Sequence, residues 1–370
     1  MFKSFLKGID TTFLIIVMGI VVFGLIMLTS ASGPMGFERF GNSYYFLRHQ
    51  FLAGVVPGVI LMFITMRIPY ERYRKYALPM LLLSIVLLSL VFIPGIGEDF
   101  GTFAKSWVVI GPLSFQPAEI VKLTFLLYLA AWMDRHQKEL KTFYSGLVPF
   151  LFVLGIISIM MIFQPDIGTL SVIAAMAFIV YFIAGGPVAY LGGIGMLGIV
   201  SLGILVKASP YRAARFMTFL HPELDPLGVG YQINQALLAI GSGGLFGRGY
   251  GHSLQKFQYL PEVIGDSIFA VISEELGFFL VVGFLIAYVA MILRGFSIAQ
   301  NTKDNFGKFL VVGIIVWFGV QALLNVGSMV GLFPITGVPL PFLSFGGTSL
   351  AISLAAVGIV LNVSKSTSMQ

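Results

Sequence analysis

His221-Pro-Glu-Leu-Asp-Pro-Leu-Gly-Val-Gly230, Gly241-Ser-Gly-Gly-Leu-Phe-Gly-Arg-Gly-Tyr-Gly251 and Gln255-Lys-Phe-Gln-Tyr-Leu-Pro-Glu-Val-Ile-Gly-Asp266 share one interval, Lys207–Glu275. The last of them runs directly into Ser267-Ile-Phe-Ala-Val-Ile-Ser-Glu-Glu-Leu-Gly277. This is the one long interval without a membrane-length apolar run. A hydrophobic chain that keeps one large polar segment is expected to place its chemistry or its recognition there.

The rest of the chain explains why that interval stands out. Of 370 residues, 58% are hydrophobic and 10% charged, with mean hydropathy +0.96. A soluble domain carries roughly 25% charged residues. The composition therefore excludes a soluble globule and predicts an all-α polytopic membrane protein in a single domain over 1–370. There are no cysteines, which excludes disulfides, thiolate metal sites and cysteine nucleophiles. The net charge of +6 sits in short loops, where membrane topology accounts for it, and predicts no nucleic-acid partner. No cleavable signal is expected, because the first apolar run is long enough to remain as an anchor.

A spanning helix needs about 20 mainly apolar residues. Ten segments meet that reading: Thr12–Thr29, Phe51–Ile68, Ala77–Phe92, Ala118–Met133, Ser145–Phe163, Thr169–Gly185, Pro187–Val206, Ile268–Leu293, Lys308–Val330 and Gly346–Val363. The large loop 207–267 falls between the seventh and the eighth. Basic residues concentrate in alternate loops, such as Arg72, Arg74 and Lys75, then Arg135, Lys138 and Lys141. The positive-inside rule then places both termini in the cytoplasm and the 207–267 loop outside. No internal repeat with paired broken helices is evident, which argues against a secondary transporter.

Charges within or beside the spans need partners. Glu119 and Lys122 are three apart and share a helical face, either as an internal salt bridge or as part of a cavity. Pro117 suits the first turn of that helix. Asp166, after Gln164-Pro165, suits a helix N-cap and can also line a cavity. Asp266 lies at the start of the eighth span. It is either an N-cap or a carboxylate whose partial burial fits it for general-base work. Glu274 and Glu275 point in different directions, and structural pairing with a Lys or Arg is expected for at least one.

Arg212, Arg215, Arg248 and Lys256 form the basic set of the loop. They either clamp a diphosphate, which guanidinium geometry suits, or pair with Glu223, Asp225 and Glu262. The glycine run Gly241–Gly251 predicts a backbone that approaches something closely. It lacks the strand before it and the Lys-Ser/Thr ending of a nucleotide loop. His221 and His252 offer no ligand spacing for a tightly held zinc.

Taken in order, several stretches resemble the SEDS family (shape, elongation, division and sporulation), which groups FtsW-, RodA- and SpoVE-type proteins. They are Phe115-Gln-Pro-Ala-Glu-Ile-Val-Lys122, Gln164-Pro-Asp-Ile-Gly-Thr169, Asp225-Pro-Leu-Gly-Val-Gly-Tyr-Gln232, Ala239-Ile-Gly-Ser-Gly-Gly-Leu-Phe-Gly-Arg-Gly249, Tyr259-Leu-Pro-Glu262, Asp266-Ser-Ile-Phe-Ala270, Glu274-Glu-Leu-Gly277 and Pro339-Leu-Pro-Phe-Leu-Ser-Phe-Gly-Gly-Thr-Ser349. Each is weak alone, and the ordered set is specific. Ser253–Glu262 and Trp317-Phe-Gly-Val-Gln-Ala-Leu-Leu-Asn-Val-Gly327 look closer to the FtsW type.

The resemblance implies a peptidoglycan glycosyltransferase of the bacterial cytoplasmic membrane, serving cell division or cell shape. Its substrates would be lipid II and the nascent glycan strand. Its partners would be a class B penicillin-binding protein and other divisome or elongasome membrane proteins. The family's catalytic aspartate falls on Asp266. Arg212, Arg215, Arg248, Lys256, Glu119, Lys122, Asp166 and Ser344 are the candidates for contact with the substrate, and Glu274, Glu275, Pro165, Gly346 and Gly347 those for structural roles. A loosely held divalent cation, Mg or Mn, is the one cofactor expected. Four positions depart from the family pattern. Ile264-Gly265 stands where His-Thr is frequent, Ser267 where Phe is common, and Ser106 where Arg is usual, with Lys105 the nearest base. A lipid II flippase and a non-catalytic scaffold for the penicillin-binding protein are the alternative readings.

Overall fold

The structure, a computed structural model, describes residues 8–98, 105–111, 113–207, 210–221, 225, 228 and 230–367. It is built from helices α1 (Thr11–Phe40), α2 (Tyr45–Arg67), α3 (Glu71–Phe92), α4 (Pro117–Arg135), α5 (Phe143–Phe163) and α6 (Ile167–Ile183). These are followed by α7 (Val188–Lys207), α8 (Pro210–Leu220), α9 (Tyr231–Gly243), α10 (Ile268–Gln300), α11 (Asn305–Met329) and α12 (Gly347–Thr367). Seven of these, α1, α2, α3, α5, α10, α11 and α12, are long and apolar enough to cross a membrane. Each of the ten apolar segments read from the sequence coincides with a helix. The remaining three are α4, which carries Glu119 and Lys122, and the shorter apolar runs of α6 and α7.

Helix ends follow local chemistry. Asp10 caps α1 by accepting from the Phe13 N–H at 2.8 Å, and Gly41 closes it in the left-handed region at φ 63°. Asp304 caps α11 through the Gly307 N–H at 3.0 Å. Pro117 sits in the first turn of α4 as expected, where its missing N–H costs nothing. Gly185, at φ 98°, makes the tight joint between α6 and α7.

Among the described residues, strands depart from an all-helical reading in one place. A three-stranded antiparallel sheet joins α3 to α4: β1 (Gly97–Glu98), β2 (Trp107–Ile110) and β3 (Leu113–Phe115). Trp107-Val-Val-Ile110 is β-branched and aromatic, and Gly111 at φ 60° permits the reversal. The loop 207–267 is also more ordered than its polarity suggested, since it contains α8 and α9.

The helix ends alternate between two faces. At one, Arg74 pairs with Asp134 and Asp304, and Arg294 with Asp10. At the other, Gln50 Nε2 donates to the Ser344 carbonyl and the Gln116 N–H to Thr348 Oγ1. α11 and α12 form the centre, with α12 packed on α2 and α11 on α4, α6 and α10. Trp317, Phe306 and Phe318 of α11 are among the largest fully buried side chains.

α10 is broken inside. Gly277 has φ 72° and ψ 179°, which no helix contains and which favours glycine. The glycine run predicted to approach something closely lies against this break. A Cβ on Gly277 would sit 2.1 Å from the Gly247 nitrogen. The Arg248 N–H donates to the Glu274 carbonyl and Gly249 to Glu275, both at 2.9 Å. In return, the Phe278 N–H donates to Gly244 at 2.9 Å. Backbone groups freed by the break are thus satisfied by the loop, as a low-dielectric setting requires.

Candidate active site

Asp266 stands immediately before α10 and is 8% exposed. The N-cap reading does not hold for it: the cap position is Ser267, which makes no capping bond. The Asp266 carboxylate instead faces side chains. Its Oδ1 accepts from Gln232 Nε2 at 3.2 Å and from Ser267 Oγ at 3.4 Å. Its backbone carbonyl accepts from Asn325 Nδ2 of α11 at 2.8 Å. The preceding turn is latched to the segment before α12. Ser344 Oγ donates to the Gly265 carbonyl at 2.7 Å, and the Phe345 N–H to Ile264 at 2.8 Å.

Burial pushes the Asp266 carboxyl up to about 7, and the Glu262 charge adds to that rise. Arg215 and the Gln232 hydrogen bond act in the opposite direction. A carboxyl that titrates near neutrality is matched to proton transfer at physiological pH. Beside it lies an amphiphilic cavity of about 620 Å³. Arg215, Gln232 and Tyr231 line it together with Phe219, Leu237 and Phe333. Arg215 also donates to the Ile335 carbonyl at 3.2 Å.

Other expected site residues are distributed differently. Glu119 and Lys122 form an ion pair of 2.8 Å with both side chains buried. Lys122 donates to Gln321 Oε1 at 2.9 Å and lies 4.8 Å from the Trp317 ring centroid. Glu119 Oε2 is buried without a hydrogen-bond partner. Asp166 caps α6, accepting from the Thr169 N–H at 3.0 Å, and feels the charges of Lys122 and Glu119. Pro165 occupies the turn between α5 and α6.

Two of the four loop bases are paired with glutamates of α10. Lys256 is 5% exposed and donates to Glu275 Oε1 at 2.8 Å, Ser30 Oγ at 2.9 Å and the Gly251 carbonyl at 2.7 Å. All three ammonium donors are engaged. Arg248 Nη1 lies 3.6 Å from Glu274 Oε1. Glu274 also accepts from Ser253 Oγ at 2.5 Å and the Leu254 N–H at 3.1 Å. The expected pairing of Glu274 and Glu275 is therefore present, with partners from the loop rather than from another helix. Arg215 faces Asp266. The Arg212 side chain lies outside the described residues.

Ser344 is likewise a latch and not a free substrate contact, because its Oγ also accepts from the Leu340 N–H at 2.8 Å. Gly346 donates its N–H to Gln50 Oε1 at 2.9 Å. A Cβ on Gly347 would meet the Ala53 carbonyl oxygen at 2.9 Å, which accounts for glycine there. Gln232 and Asn325 were not singled out in the sequence. Asn325 is an amide in a mostly apolar helix, the signal that could have found it; Gln232 shares the start of α9 with Asn234 and Gln235, and nothing in the sequence marks it among them. Among the described residues no three His, Cys, Asp or Glu side chains converge as a metal site. Asp225 lines the cavity together with Arg215, and Arg215 is the cation that acts on Asp266.

Comparison with known proteins gives a consistent picture. The chain is 40% identical to the probable peptidoglycan glycosyltransferase FtsW of Trichlorobacter lovleyi, covering 96% of this chain and 93% of that one. It is also 40% identical to stage V sporulation protein E of Bacillus subtilis, covering 96% and 97%. In structure it resembles a chain of a peptidoglycan synthase complex that coordinates polymerization and crosslinking, with TM-score 0.81, 28% identity, and 98% and 99% coverage. It also resembles the rod shape determining protein RodA of Thermus thermophilus, with TM-score 0.69, 29% identity and 98% coverage of each chain. The family model for cell cycle proteins of the FtsW, RodA and SpoVE type matches residues 10–369, and the chain belongs to that family.

Proposed function

We propose that this protein is a peptidoglycan glycosyltransferase that polymerises lipid II at the outer face of the bacterial cytoplasmic membrane, with Asp266 as general base. The observation that carries this reading is a buried carboxyl, raised by burial, that is hydrogen-bonded to Gln232 of a cavity polar at Arg215 and Gln232 and apolar at Phe219, Leu237 and Phe333. Such a cavity suits a sugar joined through diphosphate to a lipid.

The chemistry follows from the geometry. One lipid II presents the 4-hydroxyl of its GlcNAc, and Asp266 accepts that proton. The oxygen attacks the anomeric carbon of MurNAc at the lipid end of the growing strand, with inversion. The bond from that carbon to the diphosphate breaks, and undecaprenyl diphosphate leaves with the electron pair. Arg215 offsets the charge that develops on the leaving group, and Arg212 of the same helix is its expected companion. The lipid stays in the bilayer throughout, which explains a membrane fold for this reaction.

A class B penicillin-binding protein is the proposed partner, consistent with the likeness to a chain of a peptidoglycan synthase complex. The basic loops support cytoplasmic termini, which puts Asp266 outside. The test is polymerisation of fluorescent lipid II by the purified protein, alone and with that partner. Asp266→Ala should lower the rate by about 10²–10⁴-fold. Equal product from wild type and Asp266→Ala would sink the assignment of the base. No product from wild type, even with the partner, would favour a scaffold or a flippase.

A further inference from the structure

The carboxylate of Asp266 is held asymmetrically. Gln232 lies in the first turn of α9 and spends both amide hydrogens at this one point. Nε2 reaches Asp266 Oδ1 at 3.2 Å and Ser267 Oγ at 3.0 Å. An amide nitrogen has two donors and no more. Ser267 Oγ in turn lies 3.4 Å from the same Oδ1. The contacts from Gln232 and Ser267 thus converge on one oxygen, and no other residue among those described hydrogen-bonds Oδ2. The backbone of Asp266 is fixed independently by Asn325.

The amide orientation has an electrostatic cause. With Nε2 toward Asp266, a donor meets a carboxylate; flipped, Oε1 would oppose it. Gln232 also lines the cavity with Arg215. Ser267 is fully buried, so its hydroxyl needs these partners. An apolar residue at 267 would leave the second amide hydrogen of Gln232 without an acceptor.

We infer that Gln232 and Ser267 are positioning residues for the reaction: they anchor Oδ1 of Asp266 and leave Oδ2 as the oxygen that takes the sugar hydroxyl's proton. This rests on Asp266 being the base, so the experiment separates the two ideas. Glu262 from the loop and Arg215 from α8 are the charged groups that face the carboxyl. Neither is altered in the variants below. Loss of the amide donor removes a bond that favours the ionised form, so the acidic limb of the rate profile should move to higher pH.

Polymerisation of lipid II by the full-length protein with its partner would be followed across pH for wild type, Gln232→Leu, Ser267→Ala and Asp266→Asn. Thermal melts in detergent would establish that each variant is folded. Gln232→Leu should lower kcat by about 10- to 100-fold, the cost of a misplaced catalytic group, with KM within about twofold and the acidic limb displaced upward. Ser267→Ala should move the same two quantities in the same directions by a smaller factor, and it decides the matter if Gln232→Leu does not fold. A raised KM with unchanged kcat and limb would overturn the proposal and make Gln232 a wall of the cavity only. Wild-type behaviour of Gln232→Leu and Ser267→Ala beside a dead Asp266→Asn would overturn the positioning role alone. An active Asp266→Asn would remove the base and with it the ground for this inference.

Discussion

Asn325 holds Asp266 by its backbone: its Nδ2 lies 2.8 Å from the Asp266 carbonyl oxygen and equally 2.8 Å from that of Val338. One amide in the central helix thereby ties together the turn that carries the carboxyl and the segment that leads into α12. Asn325→Leu should leave both carbonyls unbonded, at a cost of about 1–3 kcal/mol each. It should also cut polymerisation by about 10- to 100-fold through misplacement of Asp266. A melting curve and a rate on the same preparation check this, and a fully active Asn325→Leu would refute it.

The raised carboxyl of Asp266 fixes a sign for stability as well as for rate. The folded protein binds its proton up to about 7, whereas an exposed aspartate releases it near 3.9. The folded state therefore holds more protons across that window, and stability falls as pH rises through it. Asp266→Asn removes the titration. The variant should be more stable than wild type at pH 8, by an amount on the order of a few kcal/mol, and nearly equal to it at pH 4. Melting temperatures of the two proteins at both pH values would decide; a constant difference across pH would contradict the buried, titrating carboxyl.

Lys256 provides a contrast between structure and chemistry. Its removal strands the Glu275 carboxylate, which also accepts from Ser30 Oγ at 2.6 Å. Breaking a buried pair by deleting one partner costs about 3–5 kcal/mol. Lys256→Met should therefore lose stability on that scale, and Lys256→Met with Glu275→Gln should recover part of it. A stable Lys256→Met with a raised KM would restore the lysine to the substrate.

Gly277 is predicted to be intolerant of any side chain. Alanine there would combine a positive φ with a contact of 2.1 Å to the Gly247 backbone nitrogen. Gly277→Ala should reduce folded yield in membranes severely, while Gly283→Ala, in open space on the same helix, should be neutral. Equal yields would mean that the break in α10 is not held by the loop.

The positions of these helices were legible because apolar runs mark them; every run from Thr12–Thr29 to Gly346–Val363 became a helix, seven of them long and apolar enough to cross a membrane. The strands at 97–115 were not, because segments of two to four residues leave no periodicity to read. Asp266 was legible as a carboxylate at the mouth of an apolar run. Its holders were not: Gln232 is 34 positions away and Asn325 59, and only the packing of α9 and α11 against α10 brings them together. Lys256 shows what position in the chain does not reveal. A lysine in a polar loop suggests a phosphate ligand, but burial beside Glu275 and Ser30 spends its charge on the fold. Composition reports which charges exist; tertiary burial decides which of them remain available.

The break at Gly277 divides the helix behind Asp266 into two mechanical parts. The stub Ile268–Leu276 is bonded to the glycine loop through Glu274 and Glu275, and the longer shaft is bonded to the same loop at its start, through the N–H groups of Phe278 and Phe279. A tilt or rotation of the shaft, of the kind that lipids or a neighbouring helix impose, meets a joint before it reaches the carboxyl. Stub and shaft both take their bearing from the glycine loop, so that loop is the clamp through which a movement of the shaft reaches the turn that carries Asp266.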